Sequence, residues 1–172
     1  MSEAPIRYGV VGLGRSGWNI HVKNLRPRDD AQIVAVADPV EERRQEAADE
    51  FGCQTYDNID DMLGQDDIEV AVIATPSVFH GPDTLKSFEA GKHVVVEKPM
   101  AMNVAEADEM IATSEKAGKK LFVHQNWRFN LQFTHLQDVV ASGKLGRLYH
   151  IRNYSSEFSR RDDWQTLAKY GG

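Results

Sequence analysis

At 172 residues the chain is long enough for one full domain and a remainder, and 41% hydrophobic with 27% charged residues marks ordinary globular protein rather than disorder. The 26 acidic and 20 basic residues leave a net charge of −6, and the basic pairs Arg43-Arg44 and Arg160-Arg161 sit beside acids, which argues against a nucleic-acid partner. A single cysteine, Cys53, excludes an internal disulfide, no apolar run reaches membrane-spanning length, and "MSEAPIRYGVVGLG" lacks the layout of a secretion signal, so a cytoplasmic protein with no membrane partner is expected.

The elements alternate along the chain. Short β-rich runs occur at "IRYGVVG", "QIVAVAD", "CQTY", "EVAVIAT", "HVVVEK" and "KLFVHQ". Between most of them lie helical patterns, roughly Ser16 to Leu25, Glu41 to Phe51, Ile59 to Leu63, Phe79 to Ala90 and Val104 to Ala117. Gly52, Gly91 and Gly118 stand where helix C-caps belong. This rhythm predicts an α/β fold, a doubly wound parallel sheet with helices on both faces, over residues 1–124.

The rhythm changes over residues 125–172, where a second domain is expected to begin. "NLQFTHLQDVVASGKLG" reads as a helix ending at Gly143. "RLYHIRNYSSEF" alternates at period two, as a strand of an antiparallel sheet would. One strand is too little for an independent sheet, so the second domain is expected to be truncated. The uncovered strand from Arg147 to Ser155 would then pair with a second copy, giving a homo-oligomer, or the chain would be disordered after about residue 150.

The first strand runs into "VVGLGRSG", where Gly12, Gly14 and Gly17 have the GxGxxG spacing and Arg15 and Ser16 lie between the last two. Gly12 permits the tight turn, Gly14 lets backbone approach a pyrophosphate, and Gly17 lets helix and strand pack closely. Alone the motif can be mere turn geometry. Here it follows a strand and opens a helix, and about twenty residues later "VAVAD" ends a second strand on Asp38. That position suits an acid that accepts from ribose hydroxyls. Asp38 favours NAD, because a 2′-phosphate would meet a like charge, although Arg43 and Arg44 nearby leave NADP open.

Ligands of an open parallel sheet collect outside the carboxyl ends of its strands. Three further strand ends carry polar groups there: Thr75, Pro76 and His80; Glu97, Lys98 and Pro99; and His124, Gln125, Asn126 and Arg128. Thr75-Pro76 reads equally as a capped turn, His80 as a helix-surface histidine, and Asn126 and Arg128 as ties between domains. Glu97 and Lys98 are adjacent on an extended segment, so their side chains point apart and serve different neighbours. Pro99 holds Lys98 extended, and a cis Lys98-Pro99 bond is expected. An amine there can hold a substrate hydroxyl and take its proton while a nicotinamide takes the hydride.

Together "GLGRSGWNIH", "VAVADPVEER", "ATPSVFH", "AGKHVVVEKPMA" and "NWRF" resemble the Gfo/Idh/MocA family of nicotinamide-dependent oxidoreductases over nearly the whole chain. The resemblance implies a Rossmann domain followed by an α+β domain that binds substrate and often builds the oligomer. It implies a sugar or polyol substrate, Lys98 as the catalytic lysine and Glu97 beside the nicotinamide ribose. The dinucleotide would lie on Gly12, Gly14, Gly17 and Asp38, with Trp164 close to its nicotinamide end. Family members continue past the position of the double glycine into an aspartate-and-histidine segment that this chain lacks, so the chain itself is expected to lack part of the catalytic site. The alternative is a nucleotide-binding or regulatory module without turnover. His21, His135 and His150 read as structural or surface residues, and no spacing suggests a metal.

Overall fold

The computed structural model describes residues 4–158, 160 and 162–171. Arg161 of the second basic pair and Gly172 of the double glycine lie outside the described residues. The strands are β1 (Ile6–Val11), β2 (Ala31–Ala37), β3 (Gln54–Tyr56), β4 (Val70–Ile73), β5 (His93–Val96) and β6 (Leu121–Val123). A π-helical stretch (Gly17–Val22) running into α1 (Lys23–Leu25) separates the first two strands. The later connections are α2 (Glu41–Phe51), α3 (Ile59–Leu63), α4 (His80–Glu89) and α5 (Val104–Ala117). A 3-10 turn (Asn126–Phe129) and α6 (Leu131–Ala141) follow the last strand.

The strands form one sheet in the order β3-β2-β1-β4-β5-β6. All its pairings are parallel. Successive side chains of a strand face opposite ways, and the core divides accordingly. Val11, Ala35, Ala37, Ala71, Ile73, Val94 and Val96 face α3, α4 and α5 with Met62, Phe88 and Met110. Val10, Val36, Val72 and the partly buried Val95 face the other way, with Val22, Trp18 and Ala47. This two-sided burial is why the central strands are apolar without alternation.

The helices end where side-chain chemistry ends them. Asn58 and Asn103 accept from the amides of Asp61 and Glu106 at 2.9 and 3.0 Å, satisfying amide groups that the first turn leaves free. Gly52, Gly91 and Gly118 all take positive φ just beyond their helices, as expected. The first helix differs from expectation, because most of it is π-helical. Such widened turns recur at functional sites, and this one carries the buried His21.

The strand expected over Arg147 to Ser155 does not form. That stretch has no regular secondary structure, and Tyr149, Ile151 and Tyr154 are exposed. Its period-two pattern needs a neighbouring strand to pair with, and the described residues supply none there. Within the described residues no helix is long and apolar enough to cross a membrane.

Met62, 0% exposed, reaches across the core to the bare backbone of Gly9. Met62→Ala should lower the unfolding free energy by about 3 kcal/mol through lost burial and a residual cavity. Urea denaturation should show a lower midpoint at unchanged slope.

Candidate active site

Register aligns the chemistry. Val11 pairs with both Ala37 and Ile73, Ile73 with Val96, and Val96 with Val123. Tyr56 pairs with Ala37 in the same register, so the next residue of each strand falls on one line across the sheet edge: Asp57, Asp38, Gly12, Ala74, Glu97 and His124. The ladder even extends one bond into this line, with Gly12 N donating to Ala37 O at 2.8 Å, Ala74 N to Val11 O at 2.9 Å, Glu97 N to Ile73 O at 2.9 Å and His124 N to Val96 O at 2.8 Å. The strand order reverses between β1 and β4, which is where open sheets of this kind bind ligands.

A cavity of about 670 Å³ opens there, within the range of small-molecule sites. Gly12, Gly14, Arg15, Ser16, Asp38, Thr75, Pro76 and Trp164 line it. The three glycines do different work. At Gly12, φ is +85° and a Cβ would lie 2.8 Å from Ala74 O. At Gly17 a Cβ would stand 1.8 Å from Gly12 O. At Gly14 it would meet only an Arg43 nitrogen, 3.9 Å away, so nothing among the described residues demands glycine. A bare backbone facing a cavity is what an approaching pyrophosphate requires.

Asp38 is buried and ties the loop to the sheet. Its Oδ2 accepts from Leu13 N at 2.7 Å and its Oδ1 from Val40 N at 2.9 Å. Arg43 Nη1 lies 3.4 and 3.5 Å from the two oxygens. Arg44 donates instead to the Asp38 backbone carbonyl at 2.7 Å. Two amides fix the carboxylate in place, and both Asp38 and Arg43 line the cavity.

Thr75 faces the same cavity, and its hydroxyl donates to Asp83 Oδ2 at 3.0 Å. Burial pushes the Asp83 carboxyl up, and the Thr75 hydrogen bond and the charges of Lys86 and His80 only partly offset it. His80 is not the surface histidine that helix position allows. It is 1% exposed, with Nδ1 2.6 Å from Pro99 O and Nε2 2.9 Å from Thr75 O. It thereby bridges the two strand-end turns, and the Lys98-Pro99 bond within the second of them is cis, as expected.

Glu97 and Lys98 line a smaller recess that shares Ser16, Ala74, Thr75 and Trp164 with the main cavity. His80 and Gln165 complete it. Glu97 is 5% exposed. Its Oε1 lies 2.9 Å from His21 Nε2 and 2.8 Å from His124 Nδ1, and its Oε2 accepts from Lys98 N at 3.2 Å. Burial alone would push this carboxyl up. The His21 hydrogen bond, the positive character of His21 and His124 and the Lys98 amide outweigh it and hold the group below its ordinary value. Glu97 is therefore ionised and accepts from both rings. Sequence reading missed this grouping: the partners are 76 and 27 residues from Glu97, and His21 gave no sign of a role beyond packing. His124 could have been found from its place at the end of β6. Among the described residues, these three also form a cluster of metal-ligand type, with ligand atoms within 4.8 Å of one another.

The C-terminal segment closes the rim. Arg15 Nη2 donates to Gln165 Oε1 at 2.8 Å and lies 3.7 Å from Asp163 Oδ2, which sets Trp164 against both cavities. Asn126 and Arg128 are not brought in. They are exposed on the 3-10 turn after β6 and line neither cavity, because that turn leads the chain away toward α6.

The geometry fits a nicotinamide dinucleotide: an open glycine cradle, an anchored acid at the end of β2 and, beside the cavity, a small recess at Lys98 that shares four lining residues with it. The chain belongs to the Gfo/Idh/MocA oxidoreductases, a family with an NAD-binding Rossmann fold, which residues 6–125 match. It is 32% identical over 148 residues to the myo-inositol 2-dehydrogenase of Thermotoga maritima, covering 86% of this chain and 44% of that one. It is 34% identical over 150 residues to the D-glucoside 3-dehydrogenase of Escherichia coli, covering 87% and 43%. Its fold is similar to that of the WlbA dehydrogenase of Bordetella pertussis, solved with NADH and UDP-GlcNAcA, at a TM-score of 0.79 and 33% identity. That match covers 87% of this chain and 43% of the other. The chain thus spans less than half the length of these relatives.

Two outcomes follow from the site. Gly17→Ala should cost about 2–3 kcal/mol of stability, since backbone must move. Gly14→Ala should stay within about 0.5 kcal/mol of wild type yet weaken NADH binding. Chemical denaturation and calorimetric titration of both variants separate the two effects. Asp83 has a raised carboxyl, so its folded form favours the proton. That contribution is full below the unfolded value of 3.8 and is lost as pH rises through the folded value. Asp83→Asn, which still accepts from Thr75, should therefore melt higher than wild type at pH 7. The difference should vanish below pH ~4 in melts across pH.

Proposed function

We propose that the chain supplies the dinucleotide site and the catalytic lysine of an NAD-dependent dehydrogenase acting on a sugar or polyol. The observation that carries this reading is the common line of Asp38, Gly12, Ala74 and Glu97, with Lys98 beginning the recess beyond it. The named activities of the myo-inositol and D-glucoside relatives support the substrate class. When bound, the nicotinamide accepts or gives the hydride.

The protein's own residues do the rest. Gly12, Gly14, Arg15, Ser16 and Gly17 hold the pyrophosphate, and Asp38 accepts from the adenosine ribose. Asp38 favours NAD over NADP by like-charge repulsion, against which Arg43 acts. Thr75, Pro76 and Trp164 wall the groove, and His80 fixes its turns. Glu97 accepts from the nicotinamide ribose. The Lys98 amine holds the substrate hydroxyl and takes its proton as the alcohol becomes a carbonyl. Asn126 and Arg128 would join this set only through a movement of their turn.

A second reading is a nucleotide-binding module without turnover, and the match to less than half of each relative's length is what favours it. Exposed Tyr149, Ile151 and Tyr154 support association with a second copy. The lone, half-buried Cys53 suits a reducing compartment such as the cytoplasm.

The test is NADH titration of this chain, together with NADH production across a polyol and sugar panel by a version extended to the length of its relatives. NADH should bind the chain. In the extended protein, Lys98→Ala should keep NADH affinity within about twofold and lower turnover by about 10²–10⁴, the range of general acid–base catalysis. Failure to bind NADH, or turnover indifferent to Lys98, would refute the assignment.

A further inference from the structure

We propose that His21 and His124 are positioning residues. They grip Glu97 through its single oxygen Oε1 and so turn Oε2 toward Lys98 and the recess. The inference rests on the dinucleotide-site reading above and extends it to two side chains outside the groove, neither of which lines either cavity.

The geometry is asymmetric. Both imidazoles meet Oε1, at 2.9 and 2.8 Å, and their rings stand 4.6 Å apart at 56°. Among the described residues Oε2 meets only the Lys98 amide, at a long 3.2 Å. A free carboxylate rotates about its last bond, and two donors converging on one oxygen from different elements stop that rotation. His21 comes from the π-helical stretch above the sheet, and His124 from the adjacent strand end. The accepting capacity left on Oε2 is what a ribose hydroxyl would use.

Because the carboxylate only accepts, each histidine must carry its proton on a stated nitrogen: His21 on Nε2, His124 on Nδ1. The amide of glutamine reproduces an Nε2–H donor, and that of asparagine an Nδ1–H donor. His21→Gln and His124→Asn should therefore preserve the grip, whereas His21→Asn and His124→Gln should not. A role in packing alone would not distinguish the members of each pair in this crossed way. The same three atoms could instead bind a divalent metal, but their separations are those of N–H···O hydrogen bonds.

Nitrogen-15 NMR of histidine in the 172-residue chain at pH 8 should find His21 protonated on Nε2 and His124 on Nδ1, with His124 reverting to Nε2 in Glu97→Ala, which removes the acceptor. Calorimetry with NADH and with ADP should then show the crossed pattern. His21→Asn and His124→Gln should bind NADH about tenfold or more weakly, the usual effect of losing a hydrogen bond to a charged group, with ADP unaffected. His21→Gln and His124→Asn should stay near wild type for both. His124 protonated on Nε2, equal NADH affinities within each pair, or stoichiometric zinc in the purified protein would overturn the proposal. If wild type binds neither NADH nor ADP, the dinucleotide reading itself fails, and with it this extension.

Discussion

Parallel register is the constraint on which the site depends. All six strands finish on one line because their ladder bonds are in step, and each next residue is delivered to the same edge. A slip of one residue in β5 would send Glu97 to the opposite face and put Val96 or Lys98 in its place. The apolar faces prevent such a slip. Val94 and Val96 are fully buried on one side and Val95 is partly buried on the other, so moving the strand would turn core into surface. Hydrophobic burial thus sets the position of charged groups that contribute little to it.

Two buried acids on this edge show different ways of keeping a charge out of water. Asp38 is held by two backbone amides, supplied by the loop it anchors and by the residues that follow it. Its fixed place comes with the fold. Glu97 relies mainly on side chains, two imidazoles that meet on one oxygen. Backbone donors cannot be exchanged by substitution, whereas imidazoles can. The groove therefore has one end, at Asp38, fixed by backbone and another, at Glu97, whose orientation rests on individual side chains.

Much of this was legible in the sequence. The strand–helix rhythm, the glycine spacing and the acid after "VAVA" are local patterns, and local patterns survive without coordinates. "EKP" stood out because two charges at the tip of an apolar strand have no packing purpose, and Glu97 and Lys98 do line a recess at the sheet edge. The grip on Glu97 was not legible, because it joins residues from three separate elements and no period links them. His80 was read two ways, since burial of one helix face depends on what α5 and the turns beside it cover. The strand after Arg147 was misread for a related reason. Alternation records which side of a strand would be wet, but a strand exists only where a neighbour pairs with it.

The contact between Arg15 and Gln165 joins residues 150 positions apart. Nearly the whole chain must be in place before it can close, yet the closure itself rests on exposed side chains and two short 3-10 turns, Trp164–Thr166 and Ala168–Tyr170. An exposed contact of this kind is held by less buried surface than the ladder beneath it. The groove accordingly has a floor built from the core of the fold and a wall built from side chains at its surface.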